Sequence, residues 1–147
     1  MRTRIRIIGL FGAALLALSG AVATGTPAQA LTVGCWGDYC SGRDPEETGC
    51  SADGVTVASG PMWGTSGSYV ELRWSPTCKT NWARVPAAFG TNQPQALVAY
   101  QCPTGYQQVG VSASSTAWSW SRMIYSPTKS VRATWNGGPG GGTTACV

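Results

Sequence analysis

Six cysteines and no histidine constrain this 147-residue chain more than any other feature. Cys35, Cys40, Cys50, Cys78, Cys102 and Cys146 all lie beyond residue 30, and the thirty residues before them have the three parts of an export signal. Arg2, Arg4 and Arg6 make a basic start, an apolar stretch runs from Ile7 to Ala23, and Ala28-Gln29-Ala30 supplies an A-x-A cleavage site. The sequence thus predicts cleavage after Ala30 and a secreted domain spanning residues 31–147. No membrane association is expected after cleavage, and Val33-Gly34-Cys35 lies too far from the apolar run to make a lipid-attachment signal. In an oxidising compartment an even cysteine count reads as disulfides, whose pairing the count alone leaves open. A zinc site is disfavoured, because there is no C-x-x-C pair and no imidazole.

The missing histidine removes Ser-His-Asp and Cys-His catalysis and imidazole-based pH switching. A content of 43% hydrophobic residues excludes a disordered tail, while 20 Gly and 9 Pro call for many turns and short elements. The net charge of +4 shrinks once the three leader arginines are set aside, since seven bases then face six acids. A nucleic-acid partner is therefore not expected. The charge is polarised along the chain. Between Leu31 and Asp53 lie Asp38, Asp44, Glu46, Glu47 and Asp53 with Arg43 as the one base, whereas Glu71 is the single acid after them.

Asp44-Pro45-Glu46-Glu47-Thr48-Gly49 predicts a short helical turn: Asp44 as cap, Pro45 at the first position, Glu47 completing a capping box and Gly49 ending it. Beyond it the period becomes two. Val70, Leu72 and Trp74 alternate with Glu71 and Arg73, Ser75-Pro76-Thr77 makes a turn, and residues 80–85 return as the partner strand. Weaker strands are expected at 55–58, 96–100 and 106–112. Ile124-Tyr125-Ser126-Pro127-Thr128-Lys129 resembles Arg73-Trp74-Ser75-Pro76-Thr77-Cys78-Lys79, which suggests a second hairpin. The tail from Gly137 to Gly142 reads as a flexible loop. The expected architecture is a mostly β, small, disulfide-stapled antiparallel sandwich or barrel with one short helical turn near the mature N-terminus.

Cys40-Ser41-Gly42-Arg43-Asp44-Pro45, Thr48-Gly49-Cys50-Ser51-Ala52-Asp53, the run from Val70 to Cys78 and Trp82-Ala83-Arg84-Val85 resemble the actinobacterial domain-of-unknown-function family numbered 2690. Met123-Ile124-Tyr125 and Val131-Arg132-Ala133 follow the pattern more loosely. The resemblance implies a small exported domain without an established activity. Similar domains attached to helix-turn-helix regulators imply ligand sensing or binding rather than catalysis. Because four cysteines fall in the better-matching half, it also implies that Cys102 pairs with Cys146.

Four surfaces are candidates for function. The acidic segment offers oxygen ligands for calcium, but its spacing fits no EF-hand loop and capping accounts for several of its members, so no metal or cofactor is assigned. The downstream bases interleave with tryptophans, and Trp118, Trp120, Arg122, Trp74, Arg73 and Arg84 are the ligand-binding candidates. Rings at 118 and 120 share one side of a strand. Such a surface could stack on sugar rings and pair with anionic groups of a cell-envelope or extracellular polymer. A carboxylate-dependent cell-wall hydrolase is the enzymatic alternative, using acids among Asp44, Glu46, Glu47 and Asp53. The loop Thr77-Cys78-Lys79-Thr80 is the basis for a protein-binding or protease-inhibitor alternative. With no catalytic motif in the chain, a non-catalytic binding module is the expected function.

Overall fold

The computed structural model describes residues 32–86, 97–110, 112–113, 117–137 and 140–147; the expected leader at 1–30 lies outside them. Ten strands form one antiparallel sheet: β1 Val55–Trp63, β2 Tyr69–Ser75, β3 Thr80–Pro86, β4 Leu97–Gln101, β5 Gln107–Val109, β6 Ser112–Ala113, β7 Trp118–Trp120, β8 Ile124–Tyr125, β9 Val131–Gly137 and β10 Gly140–Thr143. Their order is β5-β4-β9-β10-β1-β2-β3-β7-β6, with β8 joined to β3. The nearly closed, barrel-like sheet agrees with the mostly β expectation.

One strand joins the two halves. β1 pairs with β2 from Val55 to Pro61 and with β10 at Met62 and Trp63. The sheet curls there, so that β2 and β3 face β4 and β9 across the core. Alternation supplies that core: Val70 and Leu72 of β2, Ala83 and Val85 of β3, Leu97 and Ala99 of β4, and Val131, Ala133 and Trp135 of β9. Each large aliphatic side chain so buried contributes about 1.5–3 kcal/mol. Trp74, expected on the same face as Val70 and Leu72, is only half-buried and sits outside this cluster.

Three disulfides staple the fold: Cys35–Cys40, Cys50–Cys78 and Cys102–Cys146. The last is the pairing that the resemblance implied. The first two join Trp82 and Met123 in a second buried cluster, which clamps the N-terminal segment to the sheet's outer face.

The expected helical turn forms a hydrogen-bonded turn rather than a helix. The Asp44 carboxylate accepts from the Glu46 and Glu47 amides at 2.9 and 3.4 Å, and Gly49 has the left-handed φ of 76° that ends it. Helical geometry among the described residues is confined to two 3-10 turns, Gly37–Cys40 and Cys50–Asp53.

Two local expectations fail for tertiary reasons. β8 pairs with β3 and β9 with β4 and β10, so the second Ser-Pro-Thr turn carries the chain across the barrel instead of closing a hairpin. The glycine-rich tail is strand on both sides of residues 138–139, which lie outside the described residues: Gly137 ends β9 and Gly140 begins β10. Its glycines make room for indoles: a Cβ at Gly141 would stand 2.5 Å from Cζ2 of Trp63, and one at Gly137 2.0 Å from Cζ2 of Trp135.

Candidate functional site

Residues that alternate with the core positions on β2, β3 and β7 point away from the core and meet in cross-strand register. Arg73 lies opposite Trp82, Arg84 lies between Glu71 and Trp120, and Trp118 lies opposite Pro86. Residues 44–53, held down by Cys50–Cys78, add Glu46 and Ser51 beside this row. The result is a cavity of about 430 Å³ lined by Glu46, Ser51, Arg73, Trp82, Arg84, Trp118 and Trp120. That volume falls within the range of small-ligand sites, and aromatic walls with a few fixed polar groups are the usual lining of such sites.

The polar groups are held in place. Arg84 donates Nε to Glu71 Oε2 at 2.7 Å and bridges the same oxygen with a terminal nitrogen at 2.5 Å. Its guanidinium lies 4.1 Å from the Trp118 ring centre, a cation–π contact. Arg73 donates to Thr56 Oγ1 at 2.6 Å and to the carbonyl of Gly54. Burial and the nearby Arg84 lower the Arg73 pKa, while Glu71 and Glu46 oppose the change; the guanidinium stays charged at neutral pH. The Ser51 hydroxyl donates to Glu46 Oε2 at 2.8 Å. Trp120 is aimed by Asp44, which is 3% exposed and accepts its indole N–H at 3.1 Å.

Of the six ligand-binding candidates, the structure brings together Trp118, Trp120, Arg73 and Arg84. Arg122 does not line the cavity; it pairs with Asp44 at 3.3 Å and helps fix the Trp120 anchor from behind. Trp74 faces a separate depression with Val57, Asn81 and residues 126–130. Three further wall residues are not among those six. Trp82 counts among the interleaved rings and has the same outward parity as Arg84, and Glu46 is a candidate only as a hydrolase acid; it and Ser51 reach this wall through the Cys50–Cys78 bridge, which no local pattern announces. Sequence reasoning passed over Trp36 and Tyr39, which are 78% and 59% exposed near the N-terminus, with the Arg43 guanidinium 4.1 Å from the Tyr39 ring.

The other candidate surfaces are largely used internally. Asp38 accepts from the Ser41 hydroxyl, and Asp53 accepts from the Ser75 hydroxyl at 2.6 Å and the Thr77 amide at 2.9 Å. The loop at Lys79 is a tight turn, closed by the Lys79 amide on the Ser75 carbonyl, with Cys78 buried. A larger depression of about 550 Å³, lined by Asp38, Gln101, Tyr106, Tyr125 and Lys129 among others, contains no indole.

A nearly closed antiparallel barrel-like sheet, three disulfides and an aromatic-walled cavity on the outer face define a small stapled β domain. The chain belongs to the family described as protein of unknown function, DUF2690, whose model matches residues 38–135. The match takes in residues 87–117, which the motif resemblance did not cover, and it ends before β10 and Cys146. No curated protein and no solved structure matches the chain.

Proposed function

We propose that this protein is an exported, non-catalytic binding module that recognises a cell-envelope or extracellular polymer through the cavity between β2, β3 and β7. The observation that carries this reading is the convergence of Trp118 and Trp120, above a buried Trp82, with two fixed guanidiniums in one concave site. Export is supported by the leader-like start and by three disulfides; among the described residues, no helix is long and apolar enough to cross a membrane. The non-catalytic reading is supported at two of the four candidate acids: Asp44 and Asp53 spend lone pairs on structural donors, and of the four only Glu46 lines the cavity, so no pair of carboxylates faces a ligand there. A concave site of this size suits a stretch of polymer better than the broad surface a protein partner needs.

Co-sedimentation of the oxidised, leader-free protein with purified actinobacterial cell wall tests the reading. Binding is expected, and Trp118→Ala should weaken it about tenfold or more, as the loss of a stacked ring in a desolvated site does. Trp118→Ala is preferred to a change at Trp120, whose bond to buried Asp44 also supports the fold. Equal sedimentation of Trp118→Ala and the parent would remove this cavity from consideration.

A further inference from the structure

The cavity's charges are already balanced. Arg73 and Arg84 bring two positive charges, and Glu46 and Glu71 bring two negative ones beside them. Each guanidinium is also held in place by some of its N–H donors: Arg84 to Glu71 at 2.5 and 2.7 Å, Arg73 to Thr56 and Gly54. The Arg84–Glu71 pair is 23% and 19% exposed, so its bonds are shielded from much of the competition with water that weakens surface ion pairs. A phosphate or carboxylate entering the site would compete with Glu71 for the charge of Arg84. It would exchange one charge-assisted bond for another and gain little. It would also approach the Glu46 carboxylate, a like charge. What the site leaves on offer is aromatic surface from the half-buried Trp118 and Trp120, with the buried Trp82 as its floor, and the acceptor capacity of Glu46, which has more lone pairs than the single Ser51 hydroxyl uses.

From this we infer that the cavity selects an uncharged saccharide: apolar ring faces stack on the indoles, and a hydroxyl donates to Glu46. The inference rests on the polymer-binding reading above and narrows it. It runs against the anionic polymer that the arginine-tryptophan spacing suggests from sequence alone, because the compensating Glu71 and Glu46 come from a neighbouring strand and from a disulfide-tethered turn.

The test titrates the oxidised, leader-free protein, followed by tryptophan fluorescence, with two sets of probes. One set holds neutral tetrasaccharides of glucose, mannose, galactose and N-acetylglucosamine; the other holds tetragalacturonic acid and a short polyphosphate. The expected result is saturable binding of at least one neutral probe, with an affinity that changes by less than about twofold between roughly 50 and 500 mM salt, a range over which exposed charge pairs are screened. Trp118→Ala should abolish it. Glu71→Gln should raise the affinity of the anionic probes several-fold relative to that of the neutral probe, by removing the charge that offsets Arg84. Binding of only the anionic probes, with steep salt dependence, would overturn the uncharged-ligand inference while leaving polymer binding intact. No binding by either set would overturn both.

Discussion

Asp53 stands before a glycine and closes a 3-10 turn, yet its carboxylate reaches 22 positions along the chain to the Ser75 hydroxyl and also takes the Thr77 amide. Burial alone would raise its pKa, but these hydrogen bonds outweigh burial and hold the carboxyl below its ordinary value of 3.8. The folded protein therefore releases this proton more readily than the unfolded chain. Its stabilising contribution is complete above pH 3.8 and is lost as pH falls through the lower folded value. Asp53→Asn should accordingly lose less stability than the parent as pH falls below 3.8, where the depressed carboxylate takes up its proton. Urea unfolding at stepped pH reads this directly, and parallel acid limbs for the two proteins would refute it. The sequence places Asp44 as a cap, and its carboxylate does accept the Glu46 and Glu47 amides. The sequence could not show Ser75 and Trp120 as the partners of Asp53 and Asp44, because those contacts join residues that only the folded sheet brings together.

At the scale of elements, β1 and the glycine strand β10 depend on each other. A Cβ at Gly60 would stand 1.9 Å from the backbone oxygen of Thr143, just before the point where β1 turns from β2 toward β10. A carbonyl cannot rotate away as a side-chain tip can. Gly60→Ala should therefore destabilise the protein by about 1–3 kcal/mol or more, the usual cost of overpacking. A urea midpoint unchanged within error would show that β10 does not approach β1 so closely. The paired β2 and β3 strands were legible because alternation and the Ser-Pro-Thr turn agree on one hairpin. The similar turn at Ser126 misleads because its neighbours find other partners: Ser126 donates its amide to Lys79 and its hydroxyl to the Lys129 carbonyl, which locks the turn between β8 and β9. Turn chemistry specifies a bend; pairing energy specifies which strands it serves.

Across the whole molecule the three bridges close loops of different length, with cysteines 5, 28 and 44 positions apart. Constraint of the unfolded chain grows with the logarithm of that length, giving about 2 kcal/mol for Cys35–Cys40 and about 4 kcal/mol for Cys102–Cys146. Paired Cys→Ser variants should follow that order in urea midpoints, with the Cys102 and Cys146 double variant the weaker. That bridge also holds the chain end where Val147 exchanges two backbone hydrogen bonds with Val131 of β9. The reverse order would mean that native packing around the buried N-terminal pair outweighs loop entropy. Taken alone, the sequence determined that the domain is β-rich, stapled and without histidine chemistry, and which side of β2 and β3 faces inward, because composition and period-two alternation are local properties of the chain. Tertiary structure decided which cysteines in the N-terminal half meet, that β8 joins β3, and that Trp82, Trp118, Trp120, Arg73 and Arg84 share one cavity while Trp74 and Arg122 stand outside it. Those outcomes depend on strand register and loop closure, which are set by contacts between residues far apart in sequence.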